Sequence, residues 1–379
     1  MIEGHGDDAY KYKDIRSDFS SNICAHFSHQ DLLNHLAAHP ELIDHYPEPE
    51  AWSLERMLAE RHGIDPRQVI VTSGATEAIY LIAQTFRLNA IIPEPTFSEY
   101  AEACMMYNLP CTMYNFRDGR QTNAHPSSLI PATVPCGSLL SKASPLGTCD
   151  ALLRKEVPSA PQGLLWLCNP NNPTGEVYDR RYIERMLAEY ELVVIDQSYA
   201  NYTNASVMSP QEGCMAQNVI QVHSMTKDYG VPGLRLGYIT AHNRLAGQIR
   251  QHMRPWSVSA LAIEAGKYLL QHDELICRPD LQEAQRLRER LCQIKGIEVM
   301  PTQTNFMLCR LEHHTAAELK EYLACEHHIL IRDASNFKGL TPHHFRVASQ
   351  TAEENDALVR AIEGFMEEGG GMREEGLLQ

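Results

Sequence analysis

Short apolar segments alternate with amphipathic helical segments through the first two thirds of this chain, and this alternation constrains the fold most. Seven segments have the length and composition of strands, at residues 68–71, 90–92, 111–114, 163–168, 192–195, 219–222 and 235–240. Helical periodicity follows several of them, at residues 78–86, 98–107 and 180–189. A strand–helix alternation of this kind is typical of parallel sheets with crossover helices. The sequence therefore predicts an α/β fold with a mostly parallel central sheet.

The pattern changes in the last third of the chain. Two long helices are predicted at residues 257–271 and 279–295, ahead of short strands and further helices. We therefore expect a large domain over residues 45–255. Residues 1–44 and 256–379 are expected to form a smaller α+β domain with an N-terminal arm.

Two segments do not fit the regular pattern. Residues 117–161 are rich in Pro, Ser, Thr and Gly without clear periodicity, and we interpret them as an excursion from the large domain. The glycine-rich tail from residue 368 onward is predicted to be disordered.

Charge and composition argue against several classes of protein. The formal net charge is −15 and no basic stretch is contiguous, so we expect no nucleic-acid partner. No apolar run reaches membrane-spanning length, and the first residues lack the features of a signal peptide, so a cytoplasmic protein is expected. The 11 cysteines have no paired spacing, and the 18 histidines have no metal-ligand spacing. We therefore expect reduced thiols and no metal.

Lys227 lies in the most informative short motif, residues 223–238. Ser224 and Thr226 precede it, and Arg235 follows it by eight residues. A lysine amine forms a Schiff base with an aldehyde only when it is unprotonated, while hydroxyl groups and an arginine can bind a phosphate beside it. An aldehyde that carries a phosphate is pyridoxal phosphate, which is the expected cofactor. The ordinary alternative for a single lysine is a surface position near a turn.

The segment 73–76 connects a predicted strand to a predicted helix through small residues. The backbone N–H groups of Gly74, Ala75 and Thr76 could point at an anion such as the cofactor phosphate. The alternative is an ordinary helix capped by a Ser or Thr side chain.

Asp196 ends an apolar strand, where its carboxylate could keep the cofactor ring nitrogen protonated. A buried aspartate without such a partner would be costly, which weakens a purely structural interpretation. Asn172 and Tyr199 could donate hydrogen bonds to the ring oxygen. Phe97 could stack on the ring, although a plain core aromatic is a serious alternative. Tyr46 could reach the phosphate across a dimer interface.

Together these motifs resemble those of fold-type I pyridoxal-phosphate enzymes, the aspartate aminotransferase superfamily. The matching segments are the lysine motif, the phosphate turn, Asn172-Pro173-Thr174-Gly175, Asp196 with Tyr199, Pro95-Thr96-Phe97 and Tyr46-Pro47-Glu48-Pro49. The resemblance covers roughly residues 15–115 and 160–365. It implies the type I transferase fold in a homodimer, with a tyrosine at position 46 that crosses from the neighbouring subunit.

Two subgroups of this superfamily compete for the chain: threonine-phosphate decarboxylases and histidinol-phosphate aminotransferases. Both carry two arginines near the C-terminus, and Arg332 and Arg346 match them. The resemblance implies that Arg346 binds the α-carboxylate of a small phosphorylated amino-acid substrate and that Arg332 binds its phosphate. Structural ion pairing is the usual alternative for a single arginine.

Three stretches favour the decarboxylases. These are Thr226 before the lysine with Pro232 before Gly-Leu-Arg, the N-terminal segment 18–23, and residues 4–8, which are similar to a His-Gly-Gly start. On this resemblance Asn22 and His5 are expected to contact the substrate. The chain departs from the pattern after Ile23, where Cys24-Ala25-His26 replaces the usual Asn-Pro-Leu-Gly.

The leading prediction is decarboxylation of L-threonine O-3-phosphate to (R)-1-amino-2-propanol O-2-phosphate, a step towards cobalamin. The alternative is transamination of histidinol phosphate with 2-oxoglutarate, a step towards histidine. A third hypothesis, a non-catalytic ligand sensor, is disfavoured because simple binding does not need the complete lysine motif.

Overall fold

The computed structural model describes residues 8–23, 28–115 and 163–367. Its helices are α1 Gln30–Ala37, α2 Glu41–Asp44, α3 Trp52–His62, α4 Gly74–Thr85, α5 Glu99–Met106, α6 Arg180–Glu189, α7 Pro210–Met215, α8 Met225–Asp228, α9 Asn243–Arg250, α10 Ala260–Leu270, α11 Leu281–Gln293, α12 Ala316–His327 and α13 Ala352–Glu367. Its strands are β1 Ser17–Asp18, β2 Val69–Thr72, β3 Ala90–Glu94, β4 Cys111–Asn115, β5 Leu164–Cys168, β6 Leu192–Asp196, β7 Val219–Ser224, β8 Gly237–Ala241, β9 Ile297–Val299, β10 Phe306–Leu311, β11 Ile329–Leu330, β12 Arg332–Asp333 and β13 His344–Ala348.

The central sheet has seven strands in the order β2-β8-β7-β6-β5-β3-β4. Strand β8 runs antiparallel to both of its neighbours, and every other pair in this sheet is parallel. The α/β fold with a mostly parallel central sheet is therefore confirmed. Because parallel strands share one direction, the segments that follow β3, β5, β6 and β7 leave the sheet at the same edge.

The central sheet is buried on both faces. Alternate side chains of β5 enter different apolar clusters: Trp166 packs with α4 and α5, whereas Leu165 and Leu167 pack with α6. This explains why the central strands are continuous apolar runs rather than alternating ones.

A second sheet has four antiparallel strands in the order β12-β13-β10-β9. Helices α11, α12 and α13 cover it in a separate apolar cluster that also takes in Phe19 from the N-terminal segment. Strand β1 pairs with β11 in parallel, so the N-terminal segment is tied to this part of the chain. The predicted domain boundaries, 45–255 against 1–44 with 256–379, stay predictions.

One predicted strand begins later than expected. Residues 235–240 are predicted as extended, but β8 starts at Gly237, because Arg235 adopts a left-handed backbone with φ of 52°. The predicted excursion at 117–161 and the predicted tail after 368 lie outside the described residues. Within the described ranges, no helix is both long and apolar enough to cross a bilayer.

Candidate active site

A cavity of about 260 Å³ lies where the segments that follow the parallel strands meet the second sheet. It gathers most of the residues predicted to bind the cofactor: Ala75, Thr76, Phe97, Asn172, Asp196, Tyr199, Ser224, Thr226, Lys227 and Arg235. Both predicted substrate arginines, Arg332 and Arg346, line it as well. Two other depressions have larger volumes, about 540 and 620 Å³, but neither contains any predicted site residue.

Lys227 reaches the cavity from a very short helix. Helix α8 starts directly after β7, so the lysine follows the end of a buried central strand by three residues. Its Nζ donates a hydrogen bond to the Ser21 carbonyl at 2.9 Å and lies 5.6 Å from the Tyr199 ring centroid. The Tyr202 hydroxyl donates to the Lys227 carbonyl at 2.9 Å. Lys227 therefore lines the cavity with its amine held by the Ser21 carbonyl and its own carbonyl held by Tyr202.

Asp196 is almost fully buried at the end of β6 and accepts three hydrogen bonds. Ser198 supplies two of them to Oδ1, from its backbone N–H at 2.9 Å and its hydroxyl at 2.5 Å, and the Tyr100 hydroxyl donates to Oδ2 at 2.8 Å. Burial raises the pKa of Asp196, and the donors from Ser198 and Tyr100 oppose that rise. Since a carboxylate has about four acceptor directions, one remains for a cationic donor in the cavity.

The predicted phosphate turn is built around Gly74, whose φ is +81°. A Cβ at this position would lie 2.7 Å from Nη2 of Arg235, so the absence of a side chain lets the arginine pack against the turn. The Ser73 side chain makes no capping hydrogen bond to α4, so the ordinary capped-helix interpretation does not apply here. Among the described residues, Thr226 offers a buried hydroxyl that has no hydrogen-bond partner. These groups fit a phosphate.

Arg332 and Arg346 lie directly opposite each other on the neighbouring antiparallel strands β12 and β13. Arg346 donates through Nη1 to Oδ1 of Asn172 and through Nη2 to the Ser20 carbonyl. Burial lowers the pKa of Arg346 to about 10, which leaves it charged at neutral pH. Arg332 donates to Oδ1 of Asn336 at 2.8 Å, and burial lowers its pKa as well. The cavity thus has two adjacent guanidinium groups, suited to two anionic groups on one small molecule.

Three of the predicted residues that the structure describes do not line the cavity, and a fourth predicted residue is not among those described. Asn22 is fully buried behind it and donates a long, 3.5 Å hydrogen bond to the Tyr199 hydroxyl. Gly74 lies close to the Arg235 guanidinium but is not part of the cavity lining. Tyr46 is 85% exposed, with its ring 5.3 Å from that of Trp256. His5 lies outside the described residues. For each of these residues, and for those that line the cavity, the predicted chemical role stays a prediction.

Several residues of the site have no role predicted from the sequence. Ser20 and Ser21 contact it through backbone carbonyls, which leave no side-chain signal. Ser198 and Tyr100 bind Asp196, and Phe337 lies 5.4 Å from the Arg332 guanidinium, measured to the ring centroid. The spacing of Ser198, two residues after Asp196, could have been used to find it.

One group of potential metal ligands exists elsewhere in the described ranges: His35, His39 and Glu264. Glu264 pairs with Lys267 at 2.5 Å and shares a hydrogen bond with His35 at 2.9 Å, so this carboxylate already has partners on both α10 and α1. None of its members lines the cavity.

The family match, the similar sequences and the similar solved structures all belong to one group of enzymes. Residues 17–362 match the family described as aminotransferase class I and II. A threonine-phosphate decarboxylase from Salmonella typhimurium is 26% identical over 360 residues, which cover 92% of this chain and 91% of that protein. A histidinol-phosphate aminotransferase from Methanocaldococcus jannaschii is 26% identical over 329 residues, covering 85% and 81%.

A solved structure, that of L-threonine-O-3-phosphate decarboxylase from Porphyromonas gingivalis, superposes with a TM-score of 0.77 at 34% sequence identity. It covers 93% of this chain and 99% of that one. The site described above has the groups that pyridoxal phosphate requires: a lysine amine, a buried carboxylate with one open acceptor direction, and a turn with an unpartnered hydroxyl and an arginine. The chain belongs to the class I and II aminotransferase family and is a pyridoxal-phosphate-dependent enzyme.

Proposed function

We propose that this enzyme decarboxylates L-threonine O-3-phosphate to (R)-1-amino-2-propanol O-2-phosphate. This reaction would be a step in the synthesis of cobalamin. The observation that carries the proposal is the pair Arg332 and Arg346, which face each other across β12 and β13 in the same cavity as Lys227. In phosphothreonine only Cα, Cβ and the ester oxygen separate the carboxylate from the phosphate. A compact dianion of this kind suits two guanidinium groups on directly opposed residues.

In this proposal Arg346 binds the α-carboxylate and Arg332 the phosphate. Arg346 is held by Asn172 and Ser20, so its guanidinium plane is fixed before substrate arrives. The Phe337 ring lies against the Arg332 guanidinium, and Asn336 accepts a hydrogen bond from Arg332. A carboxylate bound in a fixed orientation determines which bond to Cα would stand perpendicular to the cofactor ring. That bond would be the one that breaks.

The cofactor residues take the following roles in the proposal. When bound, pyridoxal phosphate supplies an electron sink for the electrons left on Cα. Lys227 would hold the cofactor, and its amine would deliver a proton to Cα after carbon dioxide has left. Asp196 would hold the proton on the ring nitrogen. Asn172 and Tyr199 would bind the ring oxygen, and Phe97 would cover the ring face. The phosphate would be held by Gly74, Ala75, Thr76, Ser224, Thr226 and Arg235.

We also propose that the enzyme is a homodimer in the cytoplasm. Tyr46 and Trp256 form an exposed aromatic pair, 85% and 50% accessible, and such a pair would be covered where a second copy docks. Tyr46 would then reach the cofactor phosphate of the neighbouring subunit.

The second candidate is transamination of histidinol phosphate, supported by the relative from Methanocaldococcus jannaschii. Two adjacent arginines also suit the two carboxylates of glutamate, the amino donor or product in that reaction. The deciding experiment supplies phosphothreonine alone, and then histidinol phosphate with 2-oxoglutarate. We expect carbon dioxide from the first. If histidinol phosphate with 2-oxoglutarate gives glutamate and phosphothreonine gives no carbon dioxide, the enzyme is an aminotransferase and not a decarboxylase.

The role of Arg332 is tested by Arg332→Ala on phosphothreonine and on unphosphorylated threonine. Loss of about two charge-assisted hydrogen bonds, about 1.5–3 kcal/mol each, should lower kcat/KM for phosphothreonine by at least 100-fold, with a much smaller effect on threonine. Arg310→Ala is the matched control, since Arg310 lies in the same sheet and pairs with Glu298 at the surface. Equal losses on both substrates would make Arg332 a structural residue.

A further inference from the structure

Tyr100 contacts Asp196 from a distant part of the chain. It lies in α5 with its side chain fully buried, and its hydroxyl donates to Oδ2 of Asp196 at 2.8 Å. The sequence motifs that predict the cofactor site do not include it. Its partner is the carboxylate proposed to face the cofactor ring.

The orientation of Tyr100 is fixed by aromatic packing on two sides. Its ring stacks on Trp166 with centroids 5.2 Å apart and an interplanar angle of 13°. The Phe97 ring meets it edge-on at 5.8 Å and 83°. Since Phe97 and Asp196 both line the cavity, Tyr100 links the predicted ring-face residue with the predicted ring-nitrogen residue. The hydroxyl is therefore aimed at the carboxylate by the core of the large sheet.

The hydrogen bonds to Asp196 determine how strongly it attracts a further proton. Ser198 donates twice to Oδ1 and Tyr100 once to Oδ2, and all three bonds stabilise the ionised carboxylate. Burial acts in the opposite direction and favours the protonated form. If a basic nitrogen shares a proton with this carboxylate, each donor removed from Asp196 moves the proton towards Asp196.

We propose that Tyr100 is a positioning residue whose hydroxyl keeps the shared proton on the ring nitrogen of pyridoxal phosphate rather than on Asp196. The inference rests on the role proposed for Asp196, but not on which substrate the enzyme uses. A protonated ring nitrogen is the stronger electron sink, so Tyr100 supports the chemistry without touching substrate or cofactor. A merely structural tyrosine would stabilise the fold and leave the position of this proton unchanged.

The test is nitrogen-15 NMR of the holoenzyme loaded with ring-nitrogen-labelled pyridoxal phosphate. We compare wild type with Tyr100→Phe, which keeps the stacked ring and removes only the hydroxyl. The wild-type signal should be that of a protonated pyridine, and the Tyr100→Phe signal should move towards neutral pyridine. We also expect kcat to fall about tenfold with KM little changed, as for loss of one hydrogen bond to a charged group.

Tyr107→Phe is the matched control. Tyr107 follows the same helix, and its hydroxyl donates to Oε1 of Gln84 at 3.3 Å. It should leave the nitrogen signal at the wild-type position. Ser198→Ala removes a different donor to Asp196 and should move the signal in the same direction as Tyr100→Phe.

A further variant, Tyr100→3-fluorotyrosine, keeps the stacked ring and the hydroxyl, replaces one ring hydrogen by fluorine, and makes the hydroxyl a stronger donor. It should hold the signal at or beyond the wild-type protonated position, and it provides a test if Tyr100→Phe fails to fold. A wild-type signal of neutral pyridine would contradict the role of Asp196 itself. A protonated wild-type signal that is the same in Tyr100→Phe, or that moves towards neutral pyridine in the fluorinated variant, would contradict the role of Tyr100.

Discussion

Replacement of Asp196 by Asn should separate catalysis from folding. The change is nearly isosteric and removes the negative charge that we propose faces the ring nitrogen. Two opposite unit charges about 3 Å apart interact by ~5 kcal/mol at an effective dielectric constant of about 20. If this interaction supports the transition state, Asp196→Asn should lower kcat by about 10³- to 10⁴-fold.

The folded apoenzyme should tolerate the same change. Asp196 accepts three hydrogen bonds, together worth roughly 4–9 kcal/mol at about 1.5–3 kcal/mol for each bond to a charged acceptor. Burial of the charge costs several kcal/mol in return, so the two contributions largely cancel. The Tyr100 hydroxyl can rotate to accept a hydrogen bond from the new amide. We expect a melting temperature within a few degrees of wild type.

The pH dependence of stability gives a sharper check. Burial raises the pKa of Asp196 above its ordinary 3.8, so the folded apoenzyme holds this proton more tightly than the unfolded chain. The contribution of Asp196 to stability is complete below pH 3.8 and is lost as the pH rises through its folded pKa. Asparagine has no proton to lose. The melting temperature of the Asp196→Asn apoenzyme should therefore rise relative to that of wild-type apoenzyme as the pH rises above about 4.

Asp179→Asn is the control, because Asp179 caps α6 and asparagine is an equally good cap. It should leave kcat unchanged. The reasoning about Asp196 is refuted if Asp196→Asn turns over within a few-fold of wild type. A melting temperature that tracks wild type at every pH would refute the stability argument alone.

Borohydride treatment of the holoenzyme should abolish its near-visible absorbance and fix the cofactor on the peptide that contains Lys227; a label elsewhere in an active enzyme contradicts the assignment. Burial raises the pKa of Glu94 to about 7, above 4.5 for the unfolded chain, so its contribution to stability is complete below pH 4.5 and lost as the pH rises through about 7. Glu94→Gln should therefore flatten the melting temperature between about pH 5 and 8, and parallel curves for the two proteins would show that Glu94 does not titrate there. Gly74→Ala should cost ~1–2 kcal/mol and weaken cofactor retention on dialysis, because φ is +81° and the new Cβ meets Arg235. Gly247→Ala, with open space around its Cβ, is the control, and equal effects at both glycines would rule out the contact with Arg235 as the cause.

The parts of the site that the sequence predicts are those where local structure decides the position. Asp196 ends one apolar strand and Lys227 follows another by three residues, and parallel strands bring such positions to one edge of the sheet. The turn at Gly74 is predictable for the same reason. Arg235 is placed in the cavity as expected, although its left-handed backbone delays the strand that follows, and no local pattern signals that conformation.

The parts that could not be predicted depend on contacts between residues far apart in the chain. The hydrogen bond from Tyr100 to Asp196 spans 96 positions, and that from Arg346 to Ser20 spans 326. Hydrophobic periodicity identifies α5 and its buried face, but it does not say which buried polar group will face a tyrosine hydroxyl. Contacts made by a backbone carbonyl leave no residue preference that a sequence motif could record.

The N-terminal segment 17–23 shows how the two sheets come to share one site. Its strand β1 pairs with β11, where the Phe19 N–H donates to the Leu330 carbonyl at 2.8 Å. The Phe19 carbonyl accepts a hydrogen bond at 2.9 Å from the N–H of Ala348, which lies in β13 of the second sheet. The next carbonyls, of Ser20 and Ser21, accept from Arg346 and Lys227. One short segment therefore fixes Arg346 relative to Lys227. Because these contacts use backbone atoms, they tolerate side-chain changes, and the departure from the usual decarboxylase sequence begins only at Cys24, after the last of them. The unusual sequence that begins at Cys24 is thus compatible with intact contacts from Ser20 and Ser21 to Arg346 and Lys227, and it does not by itself argue against the decarboxylase.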